Sequence, residues 1–171
     1  TFGDGDIGVG VGAVAMAHRL AGVQHDLWRR DLELVQQRAS GVLEVAEQQD
    51  YPIWKAVGLV LQGVAMTGLG RPEEGIACMD RGIALYQGLK TPPVFWPLLL
   101  SVRARGFALG GRPDDGLALI DEALGMVGAG DFLYPELALL KGDLLIALDE
   151  TGAAELLFQS ALDVSLALDA R

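Results

Sequence analysis

The chain has 171 residues, 51% of them hydrophobic and 21% charged, and its 13 Lys+Arg against 23 Asp+Glu give a formal net charge of −10. That hydrophobicity excludes an intrinsically disordered chain, and the length allows one domain with a real core. The acidic balance excludes the basic surface that phosphates require, so neither nucleic acid nor an anionic membrane is an expected partner.

The first 31 residues read irregularly. Gly3-Asp4-Gly5-Asp6 leads into a glycine-rich apolar run from Gly8 to Ala17. That run is far short of the ~18 residues a membrane span needs, and no basic segment precedes it as a signal peptide requires. Between Ala21-Gly22-Val23 and Leu27-Trp28-Arg29-Arg30 the pattern jumps abruptly. Either the leading hairpin, about 7–50, is irregular or native residues are missing between about 22 and 27. Ala56 to Thr67 reads as a buried helix stopped by Gly68 to Gly70. Pro72 with Glu73-Glu74 starts the next, because proline fits the first helical turn and acids complement the dipole. Ile76, Met79, Ile83 and Tyr86 then mark one apolar face. Val94 to Leu109, the Gly110-Gly111 stop and Pro113 repeat this logic, with Leu117, Ile120 and Leu124 on the second face. A last hairpin runs from about Pro135 to Leu148, turns at Thr151-Gly152 and continues to about Ala170. No stretch alternates apolar and polar residues as a half-buried strand would. The expected fold is all-α.

The chain repeats itself. Gly70-Arg71-Pro72-Glu73-Glu74-Gly75 recurs 41 residues later as Gly111-Arg112-Pro113-Asp114-Asp115-Gly116. Gly63, Met66, Gly70, Gly75, Met79 and Gly82 share their spacing with Ala104, Phe107, Gly111, Gly116, Ile120 and Ala123. A further 38 residues on, Gly142, Leu145, Asp149, Ala154, Phe158 and Ala161 take the same places. Stepping back by 41 gives a degenerate set, Gly22, His25, Arg29, Leu34, Arg38 and Gly41. This alternation of small, bulky and glycine positions resembles the tetratricopeptide repeat, with a period longer than the usual ~34 residues. The resemblance implies a right-handed α-α superhelix of helical hairpins, a tetratricopeptide-like solenoid filling residues 1–171, with hairpins at about 52–90, 94–128 and 133–170 after the leading one. Gly63, Ala104 and Gly142 would then lie where paired helices come closest. A plain helical bundle with coincidental glycines is the alternative.

A narrower resemblance rests on Pro52-Ile53-Trp54-Lys55-Ala56, Gly63 and Gly70 to Ala77, with Pro135-Glu136-Leu137, Leu140 to Leu145, Ala154-Glu155 and Phe158 to Leu162. Over roughly residues 32 to 168 the chain is similar to the helical-repeat tail of large bacterial signalling proteins. Those proteins pair such a tail with a predicted ATPase and a class III nucleotidyl cyclase, or sometimes a DNA-binding output domain. The resemblance implies a piece of a larger protein, as does a chain that opens on Thr1 and stops on Arg171. It carries no catalytic residue of those other domains into this chain.

Chemical motifs are weak. Gly10-Val11-Gly12-Ala13-Val14-Ala15 fits a loose dinucleotide fingerprint but lacks the preceding strand and the βαβ context. Asp4-Gly5-Asp6 opens like a calcium loop and then lacks its remaining ligands. His18 and His25 lie seven residues apart with no further pair to complete a metal site. Cys78, the single cysteine, permits no internal disulfide, which fits a reducing, cytoplasmic location. It also has no neighbouring histidine to activate it. Glu73-Glu74 and Asp114-Asp115 are accounted for by helix dipoles, and Trp54, Trp96 and Tyr134 by packing between hairpins. The expectation is therefore a non-enzyme with no cofactor and no metal.

Function then falls to the concave face that stacked first helices create. Its expected residues are Val60 and Val64, Ser101 and Arg105, and Glu136, Leu139 and Asp143, with Leu98 one turn further back. Arg105 would face the acids Glu136 and Asp143 as part of a binding surface, or else Arg105 and Asp143 merely pair with each other across neighbouring hairpins, contributing little at an exposed surface. The leading expectation is a protein-interaction and regulatory module, its partner another domain of the parent protein or a second copy. The alternative is a sensor binding a small molecule or peptide in the groove. Leu156, Leu157, Leu162, Val164, Leu166 and Leu168 load the last helix with more apolar side chains than one face requires. A homodimer or tight packing through that terminal helix is expected.

Overall fold

The computed structural model describes residues 22–90, 95–128 and 130–169. The expected features at Asp4 and Asp6, Gly8 to Ala17, Gly10 to Ala15 and His18 lie outside the described residues, as does the start of the leading hairpin. Among the described residues there are eight α-helices and no strand. They are α1 (Val23–Trp28), α2 (Leu32–Gln48), α3 (Pro52–Gly68), α4 (Pro72–Gly88), α5 (Trp96–Leu109), α6 (Pro113–Met126), α7 (Tyr134–Ala147) and α8 (Thr151–Asp169). They fall into two compact units, one ending at Thr91 and one beginning at Pro92.

Local chemistry sets the helix ends. Proline occupies one of the first two positions of α3, α4, α5, α6 and α7, where the missing N–H has no helical partner to lose. Five ends share one device. Arg30, Asp50, Gly70, Gly111 and Asp149 all adopt positive φ, between 52° and 86°. The amide of the next residue then donates back five positions: Asp31 to Asp26, Tyr51 to Ala46, Arg71 to Met66, Arg112 to Phe107 and Glu150 to Leu145, all within 2.8–3.0 Å. This left-handed closure satisfies carbonyls that the helix leaves open. The acids of the two repeated hexapeptides have a definite partner as well as the dipole. Arg71 reaches Glu74 at 2.5 Å and Arg112 reaches Asp115 at 2.6 Å, clasping each helix start.

In the first unit α3 and α4 run antiparallel at backbone contact. A Cβ added at Gly63 would lie 2.5 Å from the Gly75 carbonyl oxygen and 2.5 Å from Met79 Cγ; one at Gly82 would lie 2.7 Å from the Ala56 carbonyl oxygen. α2 packs on the other side of α3, where Gly58 admits the Leu43 side chain and Trp54 covers Val42 and Ala46. α1 is tied to α2 by a buried Asp26 carboxylate 2.6 Å from Arg38 Nε. In the second unit Leu100, Ala104, Ile120, Ala123, Leu137, Leu140 and Leu144 form one core across α5, α6 and α7. A Cβ at Gly116 would lie 2.8 Å from the Ala104 carbonyl oxygen, and one at Gly142 would collide with the Phe158 ring of α8. Gly63, Ala104 and Gly142 thus sit at the close approaches of their own helix pairs.

The leading set needs correction by one residue. Gly22, His25 and Arg29 are exposed, and Leu34, Arg38 and Gly41 only half-buried. One position on, Val23, Asp26, Val35, Ala39 and Val42 are buried and Arg30 takes the left-handed turn. The step back is 40, not 41. A buried set and a turn residue both have to match, and only the shifted register supplies them.

Candidate interaction surface

The second unit brings the expected α5 and α7 residues together. Arg105 and Glu136 are both half-buried. Burial holds the Glu136 carboxyl above its ordinary range, and the opposing pull of the Arg105 guanidinium does not cancel it. At Glu136 desolvation outweighs the attraction of Arg105. Leu139 is half-buried and Asp143 exposed on the same helix. Ser101 is buried, its hydroxyl donating to the Leu98 carbonyl at 2.8 Å, so it offers no open polar group to a ligand.

Val60 and Val64 do not form the expected apolar part of an open face. Both are fully buried. Val60 points at Gly82 of α4, because the missing Cβ there leaves room for its methyl group. The aromatic residues also do more than pack between hairpins. Trp96 Nε1 donates to Glu122 at 3.0 Å and the Tyr134 hydroxyl lies 3.1 Å from that of Ser160, each tying a first helix to its own partner 26 residues on. Nothing in the hydrophobic pattern signals these polar tethers, nor the 2.7 Å pair between Lys141 of α7 and Asp121 of α6. Arg103 and Arg112 lie 5.3 and 4.8 Å from the centroid of the Phe107 ring, a cation–π arrangement.

Cys78 is buried, its thiol 3.4 Å from the Leu59 carbonyl oxygen and 3.5 Å from Gln62 Oε1. His25 is exposed. Among the described residues no group of three or more His, Cys, Asp or Glu is placed to hold a metal, and no helix is long and apolar enough to cross a membrane. A cavity of about 480 Å³ at the α2–α3 turn is lined by Glu47, Asp50, Tyr51 and Lys55, with Leu85 of α4. The exposed large apolar side chains include Phe132 at 83%, Leu156 at 74%, Leu166 at 60% and Leu162 at 53%. Compared with models of known protein families, with characterised proteins and with solved structures, the chain matches none.

Proposed function

We propose that the chain is a non-catalytic protein-interaction and regulatory module, a tetratricopeptide-like solenoid belonging to a larger bacterial signalling protein of the cyclase and ATPase type. The observation that carries this reading is the repeat. Three helix pairs meet at positions in one register, with backbone contact at Gly63 and Ala104 and the Phe158 ring against Gly142, and the first two pairs share the same arginine–carboxylate clasp. Repeats of this kind make stacked surfaces rather than enclosed reaction chambers. The binding surface of this reading is the α5–α7 face, with Arg105, Glu136, Leu139 and Asp143. A photo-crosslinking residue in place of Leu139 tests it. Covalent capture of a protein in the native cell from Leu139, and none from Ala118 on the outer side of α6, is the expected result. Equal capture from both positions counts against it.

The sensor reading rests on the same half-buried Arg105 and Glu136, which suit a polar ligand. It separates from the first by a thermal-shift screen: a small molecule that raises the melting temperature of the chain, with the gain lost in Arg105→Ala, favours the sensor.

A further inference from the structure

We propose that the exposed stripe of α8 is a docking surface for a basic amphipathic helix of a partner protein. The inference rests on the reading of the chain as an interaction module but uses a different face from α5 and α7. In both units a second helix receives the helix after it through a leucine at one repeat position, Leu43 or Leu124, and through a lysine–carboxylate pair at differing positions. On α2, Leu43 fits against Gly58 of α3, and Glu47 pairs with Lys55 of α3 at 3.2 Å. On α6, Leu124 packs on the core that holds Leu137, Leu140 and Leu144 of α7, and Asp121 pairs with Lys141 of α7 at 2.7 Å. The repeat carries Leu124 to Leu162 and Asp121 to Gln159, with Leu166 one turn beyond Leu162. On α8 these positions are exposed, Leu162 at 53% and Leu166 at 60%. Leu162, whose two equivalents Leu43 and Leu124 are packed, stands open here with Leu166 exposed beside it.

Charge complementarity identifies the occupant. Each helix already received brings a lysine to a carboxylate of the receiving helix. α8 spans Thr151–Asp169 with Glu155, Asp163 and Asp169 and no lysine or arginine. A second copy would set acidic α8 against acidic α8, between chains of net charge −10, and like charges brought together oppose association. A helix with small and apolar residues along one face and lysine or arginine beside it satisfies both the leucines and the carboxylates.

The probe is an 18-residue peptide of leucine, alanine and lysine with a central glycine, read by fluorescence anisotropy against the full chain at physiological salt. Its twin has glutamate in place of lysine. The lysine peptide is expected to saturate and its twin not to bind. Leu162→Asn with Leu166→Asn is expected to weaken binding at least tenfold, while Leu156→Asn, about a quarter to a third of a turn off the stripe, leaves it unchanged. Amide exchange of residues 155–166 in the unaltered chain, slowed by the peptide, reads the same contact without a variant. Equal binding of both peptides overturns the proposal, as does lysine-peptide binding that survives the double substitution. Self-association of the chain abolished by that substitution would instead place a second copy on the stripe. Cross-linking at Leu139 reads the other face separately, so failure here leaves the functional reading to its own test.

Discussion

Glycine has two different jobs in this chain and at one position neither, and substitution separates the three cases. At Gly63 the absent Cβ lets two backbones meet, with the Gly75 carbonyl oxygen 2.5 Å from where it would stand. Gly63→Ala is therefore expected to destabilise by roughly 1–3 kcal/mol, as overpacking does, and Ala104→Leu by a similar amount. At Gly70 nothing lies within 4 Å of an added Cβ, but φ is +86°. Here Gly70→Ala is expected to cost about 1–2 kcal/mol for conformation alone, and Gly70→Asn less, because asparagine tolerates left-handed backbone. Gly125 has neither constraint, lying in α6 with open space around it. Gly125→Ala is expected to stabilise by about 0.5–1 kcal/mol, since alanine is the better helix former. Urea denaturation of the five variants checks the ordering. A Gly63→Ala variant as stable as the parent would mean that α3 and α4 do not touch there.

At the scale of helices, the expectations succeed where one residue type has one possible reason. The glycine–arginine–proline–acid run could only be a stop followed by a start, and it is both. The leading hairpin failed by one residue because arginine and aspartate fill its left-handed turns at Arg30 and Asp50. Without glycine as a marker, spacing alone could not fix the register. Val60 and Val64 were misplaced for a related reason: α3 is apolar nearly all round, so periodicity does not say which side meets α4. Glu136 was placed facing Arg105, but its burial depends on packing that no motif records. That burial has a consequence for pH. A carboxyl whose folded pKa is raised binds protons more tightly folded than unfolded, so its contribution to stability is full below the ordinary carboxylate range and is lost as pH rises through the raised value. Glu136→Gln is expected to flatten that part of the stability–pH curve, measured as melting temperature from pH 4 to 7. A Gln variant with the parent's slope would remove the assigned cause. In the leading hairpin the short α1 depends on Asp26, 8% exposed at its side chain and paired with Arg38, 29% exposed. Removing one partner of a buried pair costs about 3–5 kcal/mol, and the part-exposed arginine puts Asp26→Ala below that, at roughly 2 kcal/mol. Amide exchange should show the loss first in α1.

For the molecule as a whole, the two compact units give repeat energetics a direct test. In a repeat protein, stability is approximately a sum of each hairpin's own contribution and the interfaces between neighbours. The unit from Pro92 contains its own core, spread over α5, α6 and α7, and the Phe158 ring against Gly142 adds α8 to it. Residues 92–171 alone are therefore expected to be helical by circular dichroism and to unfold cooperatively in urea, with a smaller m-value than the full chain because less surface is exposed on unfolding. The contact between Ala104 and Gly116 lies wholly inside this unit. Ala104→Leu should then cost the fragment the same as the full chain, to within the ~0.5 kcal/mol over which separate sites add. An unfolded fragment would show that its burial depends on the first 91 residues. A cost differing by more than that margin would show that the strain at Ala104 spreads beyond its own unit.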